Sequence, residues 1–260
     1  MIRGIWTRET VVLMLVAAYL PMAVFWVWFG GAEAMQRLGL AALILVVWNL
    51  AFLLARAQPV SLSFVITALA IAMLAPEDLG VFRLVLGISF GAVFGELVFG
   101  GWGRNVVNPA TVALSFLGFG FPAFGWPEFL PPVAWAAMVA ALIGGATGVL
   151  PVGVMAGATV AAAGAVAAGL VPSAALPAAG IVLVILVADP VTSATTQLGR
   201  WLNGALYTGL VTLFAVGWHG AAPVQIAIAA ALLSSLAAPV LDEAALALWY
   251  AKRRRRHDHA

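Results

Sequence analysis

Two proline-punctuated stretches hold most of the polar side chains that could do chemistry in this apolar chain. The first runs Gly100-Gly101-Trp102-Gly103-Arg104-Asn105-Val106-Val107-Asn108-Pro109, and the second Asp189-Pro190-Val191-Thr192-Ser193-Ala194-Thr195-Thr196. Asn108 before Pro109 is a helix-start signature: the amide oxygen can accept from free N–H groups, and proline suits the first helical position. Those N–H groups and the positive dipole end also favour an anion, a carbonyl or a phosphate, so capping and binding both stay open for Asn108. Arg104 and Asn105 place a charge and an amide just before the start, a pair able to hold a polar headgroup. Asp189 before Pro190 carries the same signature as the matching element of the second half. The hydroxyls of Thr192, Ser193, Thr195 and Thr196 can satisfy backbone groups or coordinate a hard cation through oxygen.

Arg104, Asn105, Asn108, Asp189, Thr192, Ser193 and Thr195 are therefore the candidate binding residues for a cofactor or an ion. Glu96 lies inside an apolar run close to the first break. Intramembrane carboxylates usually face a cavity or a cation, which points to proton or ion handling, with pairing to Arg104 as the alternative. Asp242 and Glu243 read as interfacial. Gly87, Gly91 and Gly95 recur four apart on one helical face, a spacing that lets a second helix approach closely or a ligand lie against backbone. No catalytic set and no metal-ligand set emerges, since His219, His257 and His259 are isolated or terminal. Cysteine is absent, which excludes disulfides, thiol chemistry and a cluster held by this chain's own thiolates.

The elements that must position these residues are membrane spans. Of 260 residues, 64% are hydrophobic and 8% charged, far from the composition of a soluble domain. Five of the twelve basic residues are Lys252 to Arg256, which read as a cytoplasmic anchor rather than a nucleic-acid site. Val11 to Phe29, behind Arg3 and Arg8, is expected to be a retained first span and not a cleaved leader. Nine further apolar segments follow: Leu38 to Leu54, Val60 to Ala75, Leu84 to Phe99, Pro109 to Phe121, Val133 to Leu150, Val152 to Leu170, Ala174 to Ala188, Trp201 to Gly217 and Pro223 to Leu241. Several are shorter than the ~20 residues of a straight span, as in discontinuous helices.

Ten crossings would put Arg3, Arg8, Arg56, Arg104, Arg200 and Lys252 to Arg256 on one side, with Glu33, Arg37, Glu77, Asp78, Arg83 and Glu128 on the other. The positive-inside rule makes the first side cytoplasmic, with both termini there. An internal repeat fits this count. Pro59-Val60-Ser61 recurs as Pro190-Val191-Thr192, Arg83 with Gly87 as Arg200 with Gly204, and Gly101-Trp102 as Gly217-Trp218, in the same order. The expected fold is all-α and integral to the membrane, with about ten helices in two inverted five-helix repeats. Residues 1–121 form the first repeat, 122–132 an outer loop, 133–251 the second repeat and 252–260 a basic cytoplasmic tail. Inverted repeats with broken helices place function near the midplane, where the halves meet.

Three blocks carry a resemblance to a known family: GISFGAVFGELVFGGWGRNVVNPA, ADPVTSATTQLGRW and LAAPVLDEA with its basic tail. Together they resemble the NqrB/RnfD family, membrane subunits of the sodium-pumping NADH:quinone reductase and of the Rnf ferredoxin:NAD oxidoreductase. The resemblance implies a fold related to urea transporters and a bacterial inner-membrane location. It also implies a non-autonomous role in an ion-translocating oxidoreductase complex, with the other subunits, membrane lipid and quinone as partners and Na+ or H+ as coupling ion. Family members carry a Ser-Gly-Ala-Thr motif in the loop between the fifth and sixth helices, where threonine is esterified to FMN. Here that loop is Pro122 to Pro132, without Ser or Thr, so covalent FMN is not expected and a noncovalent FMN or riboflavin is the flavin that the resemblance leaves. Gly144 to Thr147 and Asp189 to Thr195 imitate the motif in the wrong places. Glu96 stands where the family leads one to expect Lys. The alternative function is a stand-alone channel or carrier for a small solute on the same fold, and a weaker one is a scaffold that recruits a redox partner.

Overall fold

The computed structural model describes residues 7–57, 61–170 and 175–257, with the side chains of 255–257 excepted. Arg3, Pro59, Val60, Ala174 and His259 lie outside the described residues, and so do the side chains of Arg255, Arg256 and His257. Every regular element among them is helical: α1 (Arg8–Arg56), α2 (Ser63–Leu74), α3 (Gly80–Gly95), α4 (Pro109–Gly120), α5 (Pro131–Thr147), α6 (Val152–Ala167), α7 (Ala175–Val182), α8 (Gln197–Gly217) and α9 (Pro223–His257). A 3-10 turn, Leu97–Phe99, follows α3, and a π turn, Leu183–Val187, extends α7.

The 49 residues of α1 would reach about 74 Å as one rod, more than twice a bilayer's hydrocarbon core. Gly31 breaks it, with φ 57° and ψ −139°, a conformation that glycine adopts without a Cβ clash. At one end the Leu62 N–H donates to the Glu9 carboxylate at 3.5 Å. At the other, Arg37 donates to the carbonyls of Ala75 and Pro76, at 2.6 and 3.2 Å. Since α2 runs between these ends, the two arms of α1 are antiparallel, and they contain the first two apolar segments of the sequence. Each remaining segment also falls on a helix.

Among the described residues three helices are long and apolar enough to cross a membrane: Arg8–Arg56, Gly80–Phe99 and Pro223–Arg254. α8 has 21 residues but is less apolar, and the rest are shorter, α2 and α4 at 12 residues each rising only about 18 Å. Bulky apolar side chains such as Leu54, Phe82 and Leu142 are exposed around the bundle, as expected of a protein whose solvent is lipid. α3 packs on α4, and α2 also reaches α4; in the second half α8 packs on α9, and α7 reaches α9.

The α3–α4 crossing is set by glycine. A Cβ on Gly91 would stand 2.5 Å from the Ala113 Cβ and 2.6 Å from the Pro109 carbonyl oxygen, and one on Gly95 would stand 2.7 Å from the Pro109 Cα. A Cβ on Gly87 would overlap the Leu117 side chain. All three face α4, so backbone meets backbone there.

Glu96 lies within the fourth segment, at the break itself: α3 ends at Gly95, and Glu96 has φ −134° and ψ −57°. Some expectations need correction. Asp189 does not start a helix. α8 begins at Gln197, with Thr196 as its cap accepting from the Gly199 N–H. The Ser193 N–H closes a turn onto the Asp189 carbonyl, and Asp242 of α9 then holds Thr195 and Thr196 outside any helix until Gln197. The tenth segment does not stop at Leu241; α9 continues as helix through Lys252 to His257.

Candidate functional site

The two proline-punctuated stretches meet inside the protein. The Asn108 side-chain Nδ2 donates to Asp189 Oδ2 at 2.9 Å. With its other end, Asn108 caps α4: Oδ1 accepts from the N–H groups of Ala110 at 2.9 Å and Thr111 at 3.4 Å. One side chain thus does both things that the sequence left open. It satisfies orphan donors of a helix start and holds a polar group of the other half.

Asp189 is buried and fully engaged. Oδ1 accepts from the Val191 N–H at 2.9 Å, and Oδ2 also accepts from the Thr192 hydroxyl at 3.2 Å. The preceding π turn shapes its approach: the Ala188 N–H bonds to the Leu183 carbonyl, which leaves the Val184 carbonyl to accept from the Tyr19 hydroxyl at 3.1 Å. Such widened turns concentrate at functional positions because they free backbone groups inside a helix.

Glu96 lies on the other side of the same seam. Its Oε1 accepts from the Ser63 hydroxyl at 3.2 Å, and Ser63 in turn donates its N–H to Ser61. Between the two carboxylates is a cavity of about 20 Å³, touched by Ser63, Thr67, Tyr19, Asn108 and Asp189. A cavity of that size holds water and no larger guest. The seam is therefore a chain of polar groups, Glu96, Ser63, Asp189 and Asn108, across two breaks in otherwise apolar helices.

The other named residues go elsewhere. Asn105 is buried within its own turn, accepting from Gly103 N–H at 3.1 Å and donating to the Val107 carbonyl at 3.3 Å. Arg104 is exposed and folds back over Gly100, away from Glu96. Ser193 is buried beside Thr192. Thr195 belongs to a different arrangement that the sequence did not disclose. Asp242 of α9 accepts from the Thr195 N–H and hydroxyl at 2.8 and 2.9 Å, and from the Thr196 N–H and hydroxyl at 2.9 and 2.6 Å. The signal was the pairing of adjacent threonines with an acid at a helix break, legible only once α9 is known to lie there.

The seam residues leave no room for a noncovalent flavin among them. The seam's 20 Å³ is far below the ~300 Å³ or more that a drug-sized ligand occupies. The Thr195 hydroxyl is held by Asp242. The loop 122–132 instead makes a backbone bond, Glu77 N–H to the Gly125 carbonyl at 2.9 Å, and starts α5 with Pro131. A larger cavity of about 780 Å³ opens between α5, α6, α7 and α8, walled by Trp135, Met138, Leu183 and Tyr207 among other mostly apolar residues. Its volume is that of a small-molecule pocket, and the seam's is not.

An all-helical, membrane-embedded bundle with polar groups joined across helix breaks has the make-up of a transport-type protein. A sequence profile of the NQR2, RnfD, RnfE family matches residues 2–141, more than half of the chain, and the chain belongs to that family. Among curated proteins it is similar to the NqrB component of the Na(+)-translocating NADH-quinone reductase. The Yersinia pestis protein is 38% identical over 76 residues, 29% of this chain and 18% of that one. The Klebsiella pneumoniae subsp. pneumoniae protein is 33% identical over 114 residues, 39% and 28% respectively, and that of Stutzerimonas stutzeri is 40% identical over 76 residues, 29% and 19%. The matches span less than a third of the length of these relatives.

Proposed function

We propose that the chain is a membrane subunit of an ion-translocating electron-transport complex of the Nqr/Rnf kind, and that the seam from Glu96 to Asn108 is where it handles the coupling ion. The observation that carries this reading is the buried Asn108–Asp189 hydrogen bond, which ties the start of α4 to the break after α7. A carboxylate and an amide facing each other across two broken helices are costly in an apolar bundle unless they meet an ion, a proton or water. Corresponding helix pairings in the two halves, α3 and α2 on α4 and α8 and α7 on α9, support the reading as two five-helix repeats. On this reading both termini are cytoplasmic, the membrane is a bacterial inner membrane, and the other subunits supply the electron carriers.

The residues that act are Asp189 and Glu96, with Asn108, Ser63 and Thr192 positioning them. Asp189 accepts three hydrogen bonds, from Asn108, Val191 and Thr192, and all of its donors are neutral groups. Quinone, in this reading, contacts the apolar crevice by Trp135 and Tyr207 and does not enter the seam.

The test is affinity purification of the tagged full chain from mildly solubilised membranes. Redox subunits should copurify with NADH- or ferredoxin-linked reductase activity, and Asp189→Asn should abolish ion uptake while leaving the complex assembled. A chain that purifies alone would overturn the complex reading, and a complex whose ion uptake survives both Asp189→Asn and Glu96→Gln would overturn the seam assignment.

A further inference from the structure

Four buried side-chain polar atoms among the described residues have no hydrogen-bond partner: Arg8 Nε, Thr111 Oγ1, Ser115 Oγ and Trp126 Nε1. Three of the four gather along α4. Thr111 and Ser115 lie one and two turns beyond Asn108 on the same helical face, and Trp126 packs over Gly118 one turn farther on. Their behaviour differs from that of other helical hydroxyls here, since Thr67, Thr147, Thr159 and Thr212 each close onto the carbonyl four residues back. Thr111 has no such helical carbonyl, because α4 begins only at Pro109. Ser115 and Trp126 both line a cavity of about 10 Å³ between α4 and α9, which Gln225 of α9 also borders. That is room for one water molecule.

Resting on the seam assigned above, we infer that this face of α4 carries a file of water leading from the Asn108–Asp189 pair to the end of the bundle where Trp126 and Gln225 lie. The file occupies about 10 Å of helix, from Asn108 to Ser115, before it reaches the indole. Its ligand is water and the protons that water relays, not an alkali cation. An indole N–H is a donor only and requires an acceptor opposite it, which a water oxygen supplies and a cation does not. A hydroxyl both donates and accepts, so Thr111 and Ser115 can each receive one hydrogen bond and pass on another, as a relay needs. Ala113 is equally buried but packs against Gly91 of α3 and lines neither cavity, so it gives the dry comparison.

The chain contains no cysteine, so a single introduced thiol reports without background. Full-length Ser115→Cys, Thr111→Cys and Ala113→Cys are reconstituted in liposomes and exposed to silver nitrate in chloride-free buffer. Silver is close to a water molecule in size and reacts with thiolate only where water reaches. Thiol remaining is then read with a fluorescent maleimide after denaturation. The expected result is modification of Ser115→Cys and Thr111→Cys at least tenfold faster than of Ala113→Cys, which packs against Gly91. Equal rates for all three overturn the file. If Thr111→Cys fails to fold, the ratio of Ser115→Cys to Ala113→Cys decides alone. Fast labelling in a chain that purifies without redox subunits leaves the file standing and removes the complex reading; slow labelling in an assembled complex does the reverse.

Discussion

Exchanging the two partners of the central hydrogen bond tests whether the halves are held together there. Asn108→Ser keeps an oxygen to cap α4 but is too short to reach Asp189, so it removes the bridge alone. A hydrogen bond to a charged group contributes about 1.5–3 kcal/mol net, and Asp189 keeps Val191 and Thr192 as donors, so a loss of about 2 kcal/mol is expected. Asp189→Asn preserves shape but replaces one acceptor by a donor. Whichever way the new amide is turned, one N–H faces another, either that of Asn108 or that of Val191, for a loss of about 1–3 kcal/mol.

The double variant Asn108→Asp with Asp189→Asn restores the pattern in reverse. The new amide donates to the new carboxylate, whose second oxygen still caps α4, and aspartate is as good a cap as asparagine. Its charge also suits the helix start. Stability within about 1 kcal/mol of the parent is expected, so the second substitution recovers most of what Asp189→Asn alone loses. With about 2–4 °C per kcal/mol for a chain of this size, each single variant should melt about 4–8 °C lower in detergent, followed by tryptophan fluorescence. A double variant that melts at or below the weaker single one would refute the bridge as an energetic link.

Three other perturbations have defined outcomes. Gly91→Ala should lower stability by about 1–3 kcal/mol, because its methyl would meet the Pro109 carbonyl and Ala113 at 2.5–2.6 Å; an unchanged melting temperature would mean that α3 and α4 are not in that contact. Asp242→Ala removes four hydrogen bonds from the 195–196 segment, but Thr195 is exposed and water replaces part of them. About 1–2 kcal/mol and faster limited proteolysis between residues 190 and 197 are expected, and parental cleavage rates would count against the clasp. Arg37→Met leaves the carbonyls of Ala75 and Pro76 without their charged donor and should lower stability by about 2 kcal/mol in the same melting assay, a loss that Arg37→Gln would partly recover.

The helices were readable from sequence because apolar runs bounded by proline and glycine are a strong signal in a chain with so few charges. Asn108 as a cap was readable for the same reason, since Asn-Pro has few other uses between apolar segments. What was not readable was tertiary. Asp189 resembles Asn108 in its local sequence, yet it forms a turn while Thr196 caps the next helix, because Asp242 holds both threonines from 46 and 47 residues away. The break that Glu96 occupies is legible in the glycines that follow, since Gly100 and Gly101 take positive φ, but its side chain's partner is not. Ser63 as its partner lies 33 residues earlier, a pairing that no local pattern discloses.

The seam is shut in this structure, and how it is shut bears on how it could be used. A cavity of about 20 Å³ adjoins the Asn108–Asp189 bond and one of about 10 Å³ lies farther along α4 by Ser115, each with room for water and nothing larger. A hydrated ion therefore cannot pass without separation of the elements that carry those two residues. Separation would break one hydrogen bond to a carboxylate, about 2 kcal/mol, while the α4 cap and the Val191 and Thr192 bonds move with their own halves. That bond contributes about thirtyfold to the preference for the shut state, and the apolar core around it, with Ala110, Leu114, Ile185 and Leu186 buried, adds to the preference. The glycines that permit such movement are already at hand: Gly100, Gly101 and Gly103, all at positive φ, form the turn between α3 and α4, on the near side of the bond. A Cβ at those positions would strain the turn, and because the Gly101 N–H donates to the Glu96 carbonyl at 3.1 Å, that strain would reach the seam itself.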